Sequence, residues 1–389
     1  MNILFFMNCY PDSRNGGIEN VTRMISEQFF QKGINIHIRY LNHTDFEHTD
    51  DSIFKSSNYI EKTNVELEIK KIVLENKIDI IINRCVIWTS PILRKAIKGT
   101  NCKLITTYNN KPTLDPPSLS QVFNNKDNKL LDKILITLTY PLFSLRSKIR
   151  IKSSHQKSYN VSDITILLAN RYIQEYVDLM KIENNKLVVL NNPIKENFTL
   201  SKNDLENKEN IVLMVTRLDE NQKCLIKALK IWQNVVSKEP TWKLVIVGKG
   251  PDEQKIKKYA KKKEIKNVEF VGACNPLEYY RKASIFLMTS RNEGWPNTIN
   301  ETMKMGCVPV VIASFSAIYE MINNNQDGLI ITSSNEGNEI SECTNAIINL
   351  ISDPILRQKM AKNAVLFSER LSIDIISQKW INLFDKLIN

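Results

Sequence analysis

Two glutamates, Glu293 and Glu301, bracket the run Gly294-Trp295-Pro296-Asn297-Thr298-Ile299-Asn300. The apolar residues Ile285–Met288 just upstream read as a strand, and Pro296 marks the start of a helix, so Glu293 falls in a strand-to-helix loop and Glu301 inside the helix. Unpaired amides of such a loop and helix start form a site for an anion or a hydroxyl-rich ligand. Carboxylates on either side accept hydrogen bonds from hydroxyl groups, as a nucleotide sugar requires. The pattern equally fits an ordinary helix with exposed glutamates, one of them favoured by the N-terminal dipole. Trp295 either stacks on a sugar face or plugs the core.

A second cluster follows the strand candidate Ile211–Val215, where Thr216-Arg217-Leu218-Asp219-Glu220-Asn221-Gln222-Lys223 places a guanidinium and an ammonium around one turn. Arg217 gripping oxygens bidentately and Lys223 acting as a point charge suit a diphosphate; solvated surface charge is the plain alternative. The strand Leu244–Val247 ends in Gly248-Lys249-Gly250, a turn that admits a phosphate or base. It lacks the third glycine of a dinucleotide fingerprint, which disfavours hydride chemistry. Gly16 and Gly17, after the first strand, allow a close backbone approach to a ligand or form a simple turn. There is no P-loop, no HExxH and no D-x-D carboxylate pair, so a metal-bridged diphosphate is disfavoured and no metal site is expected. His43 and His48 flank Asp45 and Glu47, which reads as a polar loop.

What must position these residues is an alternation of short, nearly continuous Ile/Leu/Val runs with longer amphipathic segments. The runs are Ile3–Phe6, Ile34–Tyr40, Ile78–Ile82, Leu104–Thr107, Ile164–Leu168 and Leu187–Leu190, then Ile211–Val215, Leu244–Val247, Val268–Val271, Ile285–Met288, Val308–Ile312 and Leu329–Ile331. Such runs suit strands covered on both faces, and their alternation with helices argues for parallel sheets. Asn275-Pro276 and Asp353-Pro354 each offer a capping side chain before a proline at a helix start. The polar stretch Lys195–Asn210 reads as a linker between two α/β domains facing across a cleft, with ligands at the carboxyl ends of the strands.

The chain has 389 residues, 42% of them hydrophobic and 24% charged, which describes a globular protein rather than a disordered one. No apolar stretch reaches the ~18 residues of a membrane-spanning helix, and no signal peptide is apparent; the expected location is cytoplasmic. The seven cysteines are scattered, without a CxxC pair, and are expected to be reduced and mostly buried. The net charge of +11 favours an anionic partner: nucleic acid, anionic lipid or a phosphorylated small molecule.

In order and spacing, the elements GGIEN, NNPI at Asn191–Ile194, TRLDENQK, LVIVGKGP, VEFVGACNPLEYYRKASIFLMTS and NEGWPNTINETMKMGCVPVV resemble the retaining glycosyltransferases of the GT-B fold, family four, also called glycosyl transferases group 1. The resemblance is dense in the second half and sparse in the first. It implies two Rossmann-like doubly wound domains, an acceptor-binding one over residues 1–195 and a nucleotide-sugar-binding one over 196–370. Residues 371–389 would form a C-terminal helix packing back on the first domain.

The resemblance also implies roles. Arg217 and Lys223 would bind the donor diphosphate and stabilise its developing charge, Glu301 would hold the ribose hydroxyls, and Glu293 would address the transferred sugar. Amides of Gly294 to Asn297 would add contacts, and Gly16-Gly17 would close on the phosphates from the other domain. The reaction would retain anomeric configuration and need neither metal nor further cofactor, the nucleotide diphosphate sugar being a substrate. Many relatives have a histidine near a first-domain strand tip where this chain has Asn109 or Asn110; Asn109 is expected to orient the donor sugar or the acceptor. Nucleotide-sugar epimerisation and non-catalytic nucleotide-sugar binding are the alternatives.

The stretch 126–157 carries eight Lys/Arg against two aspartates around the apolar run ILITLTYPLFSL. It reads either as an insertion at an anionic membrane surface, peripheral at the inner face, or as a buried helix with a basic flank. The first reading fits a polyprenyl-diphosphate-linked acceptor of bacterial surface polysaccharide synthesis; a saccharide acceptor is equally open. The cluster Lys255–Lys263 reads as a solvated helix face. No nucleic-acid motif is present, and no nucleic-acid partner is expected.

Overall fold

The computed structural model describes residues 1–12, 14–44, 51–116, 130–195, 200–333 and 335–388. Asp45, Glu47, His48, Lys126 and Lys129 lie outside the described residues. The chain divides into two compact units, Met1–Leu190 together with the segment from Trp380, and Asn191–Lys379.

In the first unit, β1 (Asn2–Cys9), β2 (Asn35–Asn42), β3 (Ser56–Tyr59), β4 (Ile80–Asn83), β5 (Lys103–Thr107), β6 (Ile164–Leu167) and β7 (Leu187–Val189) form one sheet. Its order is β3-β2-β1-β4-β5-β6-β7, and the pairings are parallel throughout. Ile80, Ile81 and Ile82 are all fully buried, as a strand covered on both faces demands. Phe29 packs edge-on against Phe384 of the C-terminal helix Ile373–Ile388, ring centroids 5.3 Å apart.

In the second unit, β8 (Glu209–Val215), β9 (Lys243–Val247), β10 (Val268–Gly272), β11 (Ala283–Met288), β12 (Val308–Ile312) and β13 (Leu329–Ile331) form a six-stranded sheet ordered β10-β9-β8-β11-β12-β13. These strands too are parallel. Its core gathers Val212, Leu229, Trp232, Ile285, Val310 and Ile347, none more than marginally exposed. Each strand expected from the sequence is present, within a residue or two at its ends except β1, which runs three residues past Phe6 to Cys9. β3 is additional: Ser-Ser-Asn-Tyr has no apolar signature because it sits at the sheet edge, half in solvent.

The cap expected at Asp353 forms, its Oδ1 accepting from the Leu356 amide at 2.8 Å. At the other site Pro276, not Asn275, takes the N-cap position, and Asn275 Oδ1 accepts from the Leu277 amide at 3.2 Å. The Asn275 helix, Leu277–Lys282, begins one residue after its proline.

The expected linker Lys195–Asn210 needs correction. It contains the helix Lys202–Glu206, and its last two residues already belong to β8. Lys208 lies in it and donates to the carbonyls of Tyr280 (3.1 Å), Arg281 (2.7 Å) and Met305. Those carbonyls end the helices Leu277–Lys282 and Asn297–Lys304, so the ammonium answers two helix C-termini at once. Polarity here marks a capping job, not freedom from the domain.

Five of the seven cysteines are buried; Cys9 is intermediate and Cys274 exposed.

Candidate functional site

In a parallel sheet the ligand-binding crevice opens where strand order reverses, outside the carboxyl ends. In the second unit that point lies between β8 and β11, and the two loops that leave it carry Arg217, Lys223 and Glu293. They are stitched together. The Arg291 amide donates to Gln222 O at 2.8 Å, Gln222 Nε2 donates to Asn292 O at 3.2 Å, and Thr289 Oγ1 donates to Lys223 O at 2.9 Å.

The stitching brings Lys223 Nζ to 2.6 Å from Glu293 Oε1, with the two side chains only 17% and 9% exposed. A charge pair this sheltered holds both groups in fixed directions. Arg217 behaves differently. Its side chain is 62% exposed and its Nη2 donates to Asp219 Oδ2 at 2.5 Å. Asp219 also caps the short helix Glu220–Lys223 by accepting from the Gln222 amide at 3.3 Å.

The third loop, after β9, closes on the first. The Leu218 amide donates to Lys249 O at 2.9 Å, and Asp252 Oδ2 accepts from the Glu220 amide at 2.8 Å. A Cβ at Gly248, whose φ is +142°, would stand 1.9 Å from the Thr216 carbonyl oxygen; one at Gly250 would stand 2.3 Å from Leu218 O. What these glycines admit in this structure is the neighbouring loop.

The helix Asn297–Lys304 begins after Pro296 with no side-chain cap; the Ile299 amide donates to Pro296 O at 3.1 Å, and the amides of Asn297 and Thr298 are the ones a ligand could use. Asn297 Oδ1 accepts from Asn192 Nδ2 at 3.0 Å. Glu301 Oε2 accepts from Tyr280 Oη at 2.8 Å, and burial pushes its carboxyl above the usual range. Trp295 is buried, and its indole N–H has no partner among the described residues. Gly294 and Thr298 complete this corner.

Sequence reasoning missed two of these groups. Asn192 sits in the quoted NNPI motif but had no role assigned to it. Tyr280 belongs to another element than Glu301, so no local spacing announces their contact.

In the first unit the strand order reverses between β1 and β4. Asn83, fully buried at the end of β4, donates from Nδ2 to Thr89 Oγ1 (3.0 Å) and Ser90 Oγ (2.9 Å) and accepts from the Cys85 amide (3.1 Å). That turn fixes Arg84. Asn109, just after β5, donates to Thr107 Oγ1 at 3.2 Å. Gly16 precedes the helix Gly17–Gln31, and a Cβ on it would meet Glu19 Oε2 at 2.7 Å. Arg84 and Asn109 line a cavity of about 570 Å³ with Glu19, Trp88 and His155.

His155 is buried, shares a hydrogen bond of 2.8 Å between its Nδ1 and Tyr176 Oη, and packs edge-on to Tyr108 at 4.7 Å. Burial pushes its pKa down to about 4, and does the same to His37 in β2. Both imidazoles are therefore neutral in the folded protein near neutral pH. Unfolded, they protonate near pH 6.5, so the unfolded chain takes up protons first on acidification. Stability should fall as pH drops from about 6.5 to about 4, by on the order of 2 kcal/mol per histidine. Denaturant unfolding of His155→Gln against the parent across that window checks it: the parent should lose the larger amount.

Two parallel-sheet, Rossmann-like units with their polar loops at the carboxyl ends of the strands make up a GT-B fold. The second of them carries a family match: residues 196–366 match the family described as "Glycosyl transferases group 1". The chain is 30% identical over 202 residues to a Haemophilus influenzae protein described as an uncharacterized glycosyltransferase, covering 51% of this chain and 55% of the relative. It is 25% identical over 219 residues, 56% of this chain and 58% of the relative, to a Campylobacter jejuni alpha-1,4-N-acetyl-D-galactosaminyltransferase whose name specifies a diNAcBac-PP-undecaprenol-linked acceptor. The matches thus span little more than half the length of these curated relatives. The fold is similar to that of Anabaena HepE, crystallised with UDP, at a TM-score of 0.75 and 14% identity over 99% of this chain and all of the other.

Proposed function

We propose that this protein is a retaining glycosyltransferase that moves a sugar from a nucleotide diphosphate sugar, UDP-linked, to a saccharide or polyprenyl-diphosphate-linked acceptor in bacterial surface polysaccharide synthesis. The observation that carries the proposal is the sheltered Lys223–Glu293 pair beside the uncapped helix start at Asn297, inside the matched region. Lys223 and the helix amides meet the diphosphate, and Arg217 swings from Asp219 to join them. Glu301 accepts from the ribose hydroxyls in place of Tyr280 Oη, and Glu293 accepts from the transferred sugar. Gly294 to Thr298 supply backbone contacts, and Gly248 sets the loop that holds Arg217.

In the reaction, the bond from the anomeric carbon to the diphosphate oxygen breaks and one to the acceptor oxygen forms on the same face. A donor phosphate oxygen takes the acceptor proton, and the cationic groups stabilise the departing diphosphate. The counter-charges are side chains, so the proposal includes independence from added metal. Asn109 positions the acceptor hydroxyl; unchanged turnover and acceptor affinity in Asn109→Ala would remove that role.

The helix Leu130–Val161 supports contact with an anionic membrane. Leu142, Phe143, Leu145 and Ile149 are exposed on it, interleaved with Arg146, Lys148 and Arg150. Apolar side chains entering the interface with cations on the headgroups contribute on the order of 1 kcal/mol per charge. No helix among the described residues is long and apolar enough to cross a membrane. We place the protein in the cytoplasm, peripheral at the inner face.

The test is a panel of nucleotide sugars with purified protein, EDTA, and vesicles with or without anionic lipid, read by mass spectrometry and flotation. Free UDP and a mass-shifted acceptor, with flotation only on anionic vesicles, are the expected results. An isomeric nucleotide sugar would make it an epimerase, and binding without turnover on any acceptor a non-catalytic binder.

A further inference from the structure

The cavity of the first unit has a chemistry of its own. Arg84 is 4% exposed, yet its Nε has no hydrogen-bond partner among the described residues, and Nη2 reaches only Asn109 Oδ1, at 3.5 Å. A guanidinium carries five donors in a fixed fork. Removing it from water with Nε unmatched and Nη2 held only at 3.5 Å is costly. The residue lies immediately after β4, at the point where strand order reverses, where parallel sheets hold ligands.

The charged groups lining the cavity are Arg84, Arg150 and Glu19, two positive against one negative. Burial raises the Glu19 carboxyl pKa while the charge of Arg84 acts to lower it, and burial leaves His155 uncharged near pH 7. Arg84 keeps its charge, since burial lowers it only to about 10. Trp88, half exposed at 51%, lines the same cavity and offers it an aromatic face. A largely apolar wall with a few placed charged groups is the make-up of a site that fixes a small polar ligand.

We infer that Arg84 is a specificity-determining residue that reads an oxyanion on the saccharide acceptor, with Trp88 against the sugar ring. The inference rests on the transferase reading for the word acceptor; the anion site itself does not depend on it. The oxyanion has two possible sources, the carboxylate of an acidic sugar or a phosphate ester on the glycan. Arg84 accommodates both, because its fork matches two oxygens of either group.

The experiment uses the full chain with UDP at saturation, so that anions cannot occupy the diphosphate site. Glucuronic acid, glucose 1-phosphate and glucose are titrated by calorimetry. One anion at least should bind tenfold or more tightly than glucose, and the tighter of the two identifies carboxylate or phosphate as the source. Arg84→Gln should abolish the preference while UDP affinity stays unchanged. Hydrogen exchange on the parent protein should show anion-dependent protection in residues 84–89 and 105–110.

Equal binding of anions and glucose, or a preference that survives Arg84→Gln, overturns the inference. If Arg84→Gln fails to fold and loses UDP, the exchange map on the parent decides, and protection outside those segments overturns it. Absence of UDP binding in the parent counts against the transferase reading alone, because the anion titrations are repeated without UDP.

Discussion

In the proposed transferase reaction, Lys223→Ala should slow sugar transfer by roughly 100- to 1,000-fold, the loss that follows removal of a fixed group facing developing charge. The geometry explains why one lysine carries so much. Its ammonium is 2.6 Å from Glu293 and mostly out of water, so it is already oriented and little rearrangement accompanies the departure of the diphosphate. Arg217, more than half exposed and held by Asp219, must first be released, and its removal should cost less. The alanine variant also strands the Glu293 carboxylate, which could by itself depress the rate. The double variant Lys223→Ala with Glu293→Gln separates the two effects. If transfer in that double variant returns to the parental rate, Lys223 works only as a partner to Glu293 and the catalytic assignment fails. Single-turnover release of UDP is the measurement.

Gly248→Ala should destabilise the second unit by about 3 kcal/mol, combining overpacking with a backbone angle that L-residues avoid. The added methyl would lie 1.9 Å from the Thr216 carbonyl oxygen, and neither backbone can retreat without pulling on a strand end. The displaced residue neighbours Arg217, so UDP affinity should fall with stability. Gly272→Ala is the control, since its φ of +85° is also unfavourable but nothing lies within 4 Å; it should cost about 1 kcal/mol. Denaturant midpoints for the two variants, with UDP titrations, give the comparison. Equal midpoints would mean that the contact between the two loops matters little.

The β-structure was readable because its strands are buried on both faces and so announce themselves as runs of Ile, Leu and Val. β3 escaped because an edge strand half in water needs no apolar side chains. The linker reading erred at Lys208 for a related reason: a lysine capping helix carbonyls has the same letter as one in solvent. At the site, the sequence supplied the residue types and their place after strands, which brought Lys223 and Glu293 into one loop cluster. It could not supply pairings made by tertiary contact. Nothing in the spacing distinguishes Lys223, tied to Glu293 seventy positions away, from Arg217, tied to its near neighbour Asp219. Likewise Arg84 follows a strand like many arginines do, and only its burial with Nε unmatched sets it apart.

The distribution of thiols has a practical consequence. Burial raises Cys85 to about 11 and both Cys102 and Cys343 to about 12, which keeps them in the unreactive thiol form. Cys274 is the exposed one, just before the helix Leu277–Lys282. A maleimide dye would therefore attach there first, giving an optical reporter on the second unit of the unmutated chain.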